Sequence, residues 1–517
     1  MNNTQTYDEL NIQIEEKLNL KDFKGALEVC HQGQEKFPDK FDFEFIAGVC
    51  HKNLQDFNDA KISFRNAIEL NDAFFPSYDL LTDILTNQAQ TEDTFYAYEA
   101  INLLEKANEL EPNNLEIIYK LALMKLDLAY YSESIKLLKH LNELDPNEFL
   151  YVSKLAQAYS RSGQADKAIE LINKYHEHNP ERLELLSQLG VAMHSKENFE
   201  EARKIYKDLL SRSSLDDANE FRFAVVNNYC ESLRMESDKK YYEEYLSMVE
   251  ENLLFFPNSD VMQKHFLTAN ILCENTEVFK KEDEFLNSLY PLDREVAMMN
   301  LFLSDHHDEI DISEFCPNTF DCLKTYNLKN FNKNHDELLE KALSSIRNQK
   351  LVYDQPFKTD VNASRTEKDL SRVGDEAIDN IIDLVKSISL DYERDIKSKK
   401  NGYYAEKWPE KIDIKSWSMI AGKDAYHIKH NHCEAWFSAV LYLKVPKNLS
   451  DNQGSIVFTS SGLNFPSSNK TKEIIVNPKE GDVVFFPAHL THYTKPFEDS
   501  LERVCMPFNF CPVRITD

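Results

Sequence analysis

The stretch ADKAIELINKYHEHNP, residues 165–180, carries the pattern that decides the fold of the first part of the chain. In it the small residue Ala168 is followed by the apolar Ile172 four positions later and by Pro180 twelve positions later. Positions four apart lie on one face of an α-helix, so the first two residues form an apolar stripe. Proline ends such a helix because it lacks a backbone N–H group and its ring clashes with the preceding turn. The stretch therefore predicts an amphipathic helix that ends before Pro180.

The same pattern recurs along the first 215 residues at a nearly constant period. Its anchor residues are separated by 34, 40, 34, 34 and 34 positions, so one repeat carries six extra residues. The anchors are Ala26, Ala60, Ala100, Ser134, Ala168 and Ala202. A period of this length predicts helix hairpins that stack on their neighbours. Two degenerate repeats are predicted to follow, because YYEEYLSMVEENLLFFP (241–257) keeps the helical pattern and the final proline.

This 34-residue period, with its small, apolar and proline positions, resembles the tetratricopeptide repeat (TPR) family over about residues 8–215. Gly48 and Gly190 fall where that family packs its paired helices closely. The resemblance implies an α-solenoid, predicted for residues 8–290 with degenerate repeats after about 215, that binds a peptide or protein. An alternative stays open, in which the repeats are a scaffold that positions the last domain or forms a dimer.

Charge is distributed unevenly along the chain, which has 88 Asp and Glu against 59 Lys and Arg and a net charge of −29. Residues 351–517 contain 24 acidic and 22 basic side chains, so nearly all of the acidic excess lies in residues 1–350. An acidic surface repels phosphate backbones and attracts basic groups. We therefore expect no nucleic acid partner, and a basic peptide or protein is favoured for the repeats. The alternative is that the acidity only keeps a large helical surface soluble.

Two further features concern the cellular compartment. No apolar run reaches the roughly 20 residues that a membrane helix needs, and the start, MNNTQTYDEL, lacks the basic and apolar regions of a secretory signal. Nine cysteines without a tight metal-binding spacing are typical of reduced thiols. These features predict a cytoplasmic protein with no membrane partner, and they leave the oligomeric state open.

The sequence changes character towards its C-terminal part. Residues 291–350 mix polar runs with one helical segment and are predicted to be an irregular, partly helical connector. Within residues 351–517, a helix at about 373–395 is followed by short apolar segments separated by turn residues. Short strands of this kind predict a β-barrel or a double sheet. The predicted fold class is multidomain α plus β, with an α-solenoid followed by a jelly-roll or cupin-like domain.

The segment HIKHNHCEAWF, residues 427–437, holds three of the chain's 15 histidines. His430 and His432 are two apart, so on an extended strand both side chains point to the same face, whereas His427 has the opposite parity and is predicted at the rim or surface. His492 follows another apolar segment 60 residues after His432. A histidine pair at one strand end and a distant histidine are typical of a mononuclear metal site with three protein ligands. The spacing alone is also compatible with ordinary surface histidines.

The neighbouring segments HNHCEAWFSAVLYLKVP (430–446), GSIVF (454–458) and EGDVVFFPAHLTHYTKPFEDSLERVCMPFNF (480–510) resemble the double-stranded β-helix of 2-oxoglutarate- and Fe(II)-dependent oxygenases. The similarity is to a subgroup with an H-x-H-P-x-x-W-x-S-G-V-Y-Y-L block, a distal histidine and a following R-x-S, over about residues 415–512. It implies that residues 351–517 are a dioxygenase domain, active as a hydroxylase, with Fe(II), 2-oxoglutarate as co-substrate and O2.

The resemblance also implies roles for individual residues. His430, His432 and His492 take the three metal-ligand positions. Arg503 takes the position of the arginine that pairs with the far carboxylate of 2-oxoglutarate, and Tyr442 is a second hydrogen-bond donor to it. No catalytic residue is predicted beyond the metal ligands.

Departures from the family pattern leave alternatives open. Most such oxygenases have Asp or Glu as the second member of the ligand pair, so Glu434 is an alternative ligand to His432. Cys505 stands where the R-x-S pattern has serine, so a thiol replaces a hydroxyl near the co-substrate. The alternative function is a non-catalytic TPR scaffold or binding protein with a relic cupin-like metal-binding domain. A further alternative keeps the enzyme but gives it a small-molecule substrate.

Overall fold

The computed structural model describes most of the chain, which divides into two compact units with the boundary between residues 154 and 155, inside α9 (Phe149–Arg161). No helix of the described residues is long and apolar enough to cross a membrane. The described residues are 6–91, 95–212, 219–235, 238–275, 277–279, 291–307, 314–356, 358–399, 401–447, 449, 452–466, 468–499 and 501–513.

The first unit consists of helix pairs packed through the predicted anchors. Its helices before α9 are α1 (Tyr7–Asn19), α2 (Phe23–Lys36), α3 (Phe41–Asn53), α4 (Phe57–Leu70), α5 (Phe75–Thr91), α6 (Phe95–Leu110), α7 (Leu115–Asp127) and α8 (Tyr131–Leu144). The anchor alanines of this unit are fully buried, and Ser134, the polar anchor, donates a hydrogen bond of 2.8 Å to the carbonyl of Ala122. A Cβ at Gly48 would lie 2.6 Å from the Phe64 ring, so glycine lets α3 and α4 approach closely.

The second unit begins with the remaining helix pairs. They are α10 (Ala165–His176), α11 (Leu183–Ser195), α12 (Phe199–Leu210), α13 (Glu220–Met235), α14 (Tyr242–Leu253), α15 (Asp260–Leu272) and α16 (Arg294–His306). Gly190 repeats the close packing seen at Gly48, because a Cβ there would lie 2.4 Å from the Tyr206 ring. Three more helices, α17 (His335–Arg347), α18 (Glu376–Ser398) and α19 (Gly402–Glu406), accompany the strands.

Two antiparallel sheets form the β domain. The strands are β1 (Lys324–Asn327), β2 (Leu351–Tyr353), β3 (Asp360–Thr366), β4 (Ile412–Ser416), β5 (Met419–His427), β6 (Phe437–Lys444), β7 (Ile456–Thr459), β8 (Glu473–Val476), β9 (Asp482–Pro487), β10 (Thr491–Thr494) and β11 (Arg503–Pro512). The larger sheet has the order β1-β9-β6-β11-β5-β3-β2, with β4 also paired to β11, and the smaller sheet has the order β10-β7-β8.

The chain crosses repeatedly between these sheets. From β5 it passes to the smaller sheet near His430, which pairs with His492 of β10, and it returns with β6. It then crosses to β7 and β8, returns with β9, crosses to β10 and ends in β11. This path is a double-stranded β-helix, and the predicted fold class is confirmed.

The strand β6 lies at the centre of the larger sheet and is buried on both faces. Phe437 and Leu441 belong to the core that includes α18, where the Phe437 ring lies 5.3 Å from that of Tyr392. Val440 and Tyr442 belong instead to the core between the two sheets. Burial on both faces explains why this strand is a continuous apolar run. A strand with one exposed face would alternate apolar and polar residues.

The edge of the larger sheet uses residues from outside the predicted oxygenase segment. β1 lies in residues 291–350, the predicted connector, and its Lys324–Asn327 pair with β9. The predicted domain boundaries at residues 290 and 350 remain predictions.

Gly190→Ala is expected to destabilise the protein, although alanine is the better helix former. The added methyl group would lie 2.4 Å from the Tyr206 ring, and overpacking of this kind costs about 1–3 kcal/mol. The midpoint of thermal unfolding should therefore fall. Gly422→Ala is the control, because no neighbouring atom lies within 4 Å of a Cβ built there. Equal midpoints for the two variants would contradict the close packing.

Candidate metal centre

Three histidines from two neighbouring segments come together in the β domain. His430 and His432 follow β5, and His492 lies in β10. His430 and His492 are cross-strand partners joined by two backbone hydrogen bonds of 2.9 and 2.8 Å. One ring nitrogen of each of the three histidines lies within 4.8 Å of the others. The strands thus assemble a group of imidazoles that can share one metal ion.

Backbone carbonyls orient two of these imidazoles. His430 Nδ1 lies 2.8 Å from the carbonyl oxygen of Ile428, and His492 Nδ1 lies 3.1 Å from that of Leu490. A carbonyl oxygen only accepts hydrogen bonds, so we assign the ring proton to Nδ1 in both residues. Each Nε2 then keeps a free lone pair, which is the usual arrangement of a metal-binding histidine.

Burial keeps the three imidazoles neutral. Desolvation lowers the pKa of His430 to about 4, and it holds the pKa values of His432 and His492 well below the ordinary value of histidine. Repulsion from neighbouring imidazoles lowers the latter two pKa values further. Because metals bind neutral imidazole, the group does not have to release protons before it binds an ion near neutral pH.

His432, and not Glu434, joins the other two histidines in this structure. Glu434 is exposed, and other groups hold its carboxylate. Asn509 Nδ2 donates to Glu434 Oε1 at 3.0 Å, and Lys415 Nζ lies 3.3 Å from Glu434 Oε2. Glu434 would have to leave both partners in order to replace His432.

A cavity is lined by the three histidines and by Arg503, the first residue of β11. The Arg503 side chain is fully buried. Its Nη1 donates to the carbonyl of Gly454 at 2.7 Å and its Nη2 to Thr494 Oγ1 at 3.4 Å, while its Nε finds no hydrogen-bond partner within the described ranges. Among the described residues, no carboxylate forms an ion pair with Arg503. Since a buried charge without a counter-charge is costly, this wall of the cavity is suited to an anionic ligand.

Tyr442 and Cys505 lie opposite each other on β6 and β11, and both line the same cavity as Arg503. Burial raises the pKa of the Tyr442 hydroxyl, so the group stays protonated and can donate a hydrogen bond. Burial also raises the pKa of the Cys505 thiol to about 11. Arg503, Tyr442 and Cys505 therefore line one cavity, in which the tyrosine and the cysteine are neutral and the arginine is charged.

His427 was expected at the rim or surface, but it is buried in the cavity wall. Its Nε2 lies 3.9 Å from Oδ1 of Asp360, its partner on β3, and Asp360 Oδ2 accepts a hydrogen bond of 3.3 Å from Arg365. Asp360 and Arg365 were not predicted at the site, because their strand β3, DVNASRT, lacks the apolar alternation that indicates a strand. β3 pairs with the strand that carries His427 and contributes to its burial, whereas the sequence analysis had predicted this residue at the rim or surface.

Comparison with known proteins supports both parts of the chain. Residues 415–509 match a family model described as "Putative 2OG-Fe(II) oxygenase", and residues 45–74 match one described as "Tetratricopeptide repeat". Among curated proteins, none matches the chain.

Three solved structures are similar to parts of the chain. YrrB, a TPR protein with an unusual peptide-binding site, is 17% identical, with 36% of this chain and 92% of that chain covered and a TM-score of 0.30. A tetratricopeptide repeat protein from Parabacteroides merdae is 13% identical, with coverages of 51% and 98% and a TM-score of 0.38. A Pseudomonas putida prolyl-4-hydroxylase is 16% identical, with coverages of 37% and 92% and a TM-score of 0.28. The predicted combination is confirmed: the chain joins tetratricopeptide repeats to a domain of the putative 2OG-Fe(II) oxygenase type.

Proposed function

We propose that the chain is a 2-oxoglutarate- and Fe(II)-dependent oxygenase, a hydroxylase, whose repeats recruit a peptide or protein. The observation that carries this proposal is a cavity with three neutral imidazoles in its wall and a buried guanidinium that has no carboxylate partner among the residues the structure describes. A metal ion alone would account for the histidines but not for Arg503. A co-substrate with two carboxylates accounts for both, because its two ends need two different cationic partners.

The residues present fit this metal. His430, His432 and His492 would hold Fe(II), and with three neutral ligands the ion keeps both of its positive charges. Many non-haem iron oxygenases have a carboxylate in place of one histidine. The site would then be more cationic than one with a carboxylate ligand, and the dianionic co-substrate would offset part of this charge. When bound, iron and 2-oxoglutarate supply the oxidising power to insert an oxygen atom from O2 into a C–H bond.

The chain's own residues orient the co-substrate and exclude water. The Nε group of Arg503 and the hydroxyl of Tyr442 are two donors available to the far carboxylate. Part of the remaining lining is apolar or weakly polar, and these side chains reduce the competition of water for the two donors. They are Met419, Val440, Ile456, Cys505 and Pro507, and the polar side chains of Asp360 and His427 also line the cavity.

The repeats provide the candidate surface for the partner. In the first unit, Lys120 contacts Asp79, Asp83 and Glu116 at 3.0, 2.7 and 2.8 Å. Lys52 also lies 3.5 Å from Asp83, so three carboxylates share two lysines and a local excess of one negative charge remains. This excess, with the acidity of residues 1–350, supports a basic peptide or protein as the partner.

The choice between His432 and Glu434 is tested by metal binding. His432→Ala is expected to abolish tight binding of one metal ion per chain, whereas Glu434→Gln should bind within a few-fold of the parent because its carboxylate is engaged elsewhere. Anaerobic titration with Fe(II), followed by measurement of the metal content after desalting, checks both variants. Loss of binding in Glu434→Gln with retention in His432→Ala would reverse the ligand assignment.

The role of Arg503 and the oxygenase function are tested together by turnover. The parent with Fe(II), 2-oxoglutarate and O2 should form succinate. Arg503→Ala should need roughly 100-fold more 2-oxoglutarate for half-saturation, because losing a charge-assisted pair in a buried site costs about 3 kcal/mol. Arg503→Lys, which keeps the charge without the planar fork, should fall between the two.

A parent that forms no succinate at any 2-oxoglutarate concentration would favour the alternative of a TPR scaffold with a relic metal-binding domain. An Arg503→Ala variant with unchanged half-saturation would instead keep the oxygenase and remove Arg503 from the co-substrate site.

A further inference from the structure

A tight turn follows directly after His432. The backbone N–H of Ala435 donates to the His432 carbonyl at 2.8 Å, which closes a turn with Cys433 and Glu434 at its centre. Neither central carbonyl accepts a backbone hydrogen bond from the described residues. Water can satisfy a carbonyl at the surface, but a side-chain donor that binds both carbonyls would hold the turn in one conformation.

Arg294, the first residue of α16, supplies this donor. Its Nε donates to the carbonyl of Cys433 at 2.9 Å, and its Nη2 donates to that of Glu434 at 3.4 Å. Its guanidinium carbon also lies 6.0 Å from the centre of the Trp436 ring. One side chain from the last helix before the β domain therefore spans the whole link between His432 and β6.

Arg294 is itself held firmly at the start of α16. Asp293 caps the helix by accepting hydrogen bonds of 2.9 and 3.1 Å from the backbone N–H groups of Glu295 and Val296. Lys264 of α15 lies 2.7 Å from the Asp293 carboxylate. Arg294 Nη1 donates to the carbonyl of Leu292 at 2.9 Å. Two helices thus fix the position from which the guanidinium reaches the turn.

The three candidate ligands differ in how much support they receive from the strands. His430 and His492 exchange two backbone hydrogen bonds with each other. His432 has one comparable backbone contact, in which its N–H donates to the carbonyl of Ala488 at 2.9 Å. Its Nδ1 lies 3.5 Å from Asn509 Nδ2, at the limit of a hydrogen bond. His432 is therefore the ligand whose position depends most on the turn that follows it.

We propose that Arg294 is a positioning residue for His432, so that α16 is a part of the metal centre as well as a part of the helical region. This inference rests on the proposed metal site. Arg294 would act through the backbone of the turn, because it binds the turn carbonyls and is not among the residues that line the cavity. A partner that shifts α16 would therefore change the affinity of the site for its metal.

Titration of the full-length protein with Co(II) tests this role, because the visible bands of Co(II) report both occupancy and coordination geometry. Arg294→Ala should weaken Co(II) binding by roughly 10- to 100-fold, as the loss of groups that orient metal ligands does, and should change the bands. Arg294→Lys should recover part of the affinity, because an ammonium group cannot span both carbonyls as the fork does.

Lys472→Ala is the matched control. Lys472 Nζ contacts Asp305 Oδ1 at 2.6 Å near the other end of α16, so this variant removes a charged contact between the same helix and the β domain away from the turn. It should leave the affinity for Co(II) and the spectrum unchanged. An equal loss of affinity in Lys472→Ala and Arg294→Ala would overturn the proposal in favour of a general docking effect.

An affinity of Arg294→Ala within twofold of the parent's, with an unchanged spectrum, would also overturn the proposal. If Arg294→Ala does not fold, Arg294→Lys decides by the same criterion. Failure of the metal site itself would give a different result. If the parent binds no Co(II), or if His492→Ala binds it as tightly as the parent, the proposed site is overturned and the role of Arg294 with it.

Discussion

The backbone pair between His430 and His492 is the contact on which the candidate site depends. Its two hydrogen bonds join residues from opposite ends of a long excursion that includes β6, β7, β8 and β9. The pair forms only when those strands have taken their places in both sheets. The double-stranded β-helix therefore brings His430, His432 and His492 together as a result of its winding.

Burial of the site carries two costs in free energy. A bound metal ion together with an organic acid could offset both. Desolvation holds the three imidazoles neutral, so that they have lone pairs to offer to a cation. Arg503 is a permanent cation buried in the same cavity, and no carboxylate in the described part of the chain pairs with it. A divalent ion with a dianionic organic acid satisfies both requirements, because the acid supplies charge to the ion and to the guanidinium together.

Periodic features were predicted well from the sequence. The 34-residue period located the anchors that are buried between paired helices, and Gly48 and Gly190 contact aromatic rings as their positions implied. The resemblance to the oxygenase family implied a group of His430, His432 and His492, and the structure brings these three together. The repeat predictions held because they rest on a local period that the backbone geometry imposes.

Contacts between distant and non-periodic segments were not predictable in this way. β3 is polar, so neither the strand nor the burial of His427 behind it had a sequence signal. β1 lies in residues 291–350, which the sequence predicted to be an irregular connector. Arg294 lies 139 positions before the carbonyl of Cys433 that it binds, and nothing near either residue indicates the other. Such contacts depend on how the helices meet the sheets, which a single sequence does not encode in any local pattern.

The account is tested most directly by anaerobic addition of Fe(II) and 2-oxoglutarate to the purified protein while the visible spectrum is recorded. It predicts an iron-to-keto-acid charge-transfer band in the parent and the loss of that band in His492→Ala. The absence of a band in the parent at saturating Fe(II) and 2-oxoglutarate would contradict the account, and the repeats would then be the main functional surface of the chain.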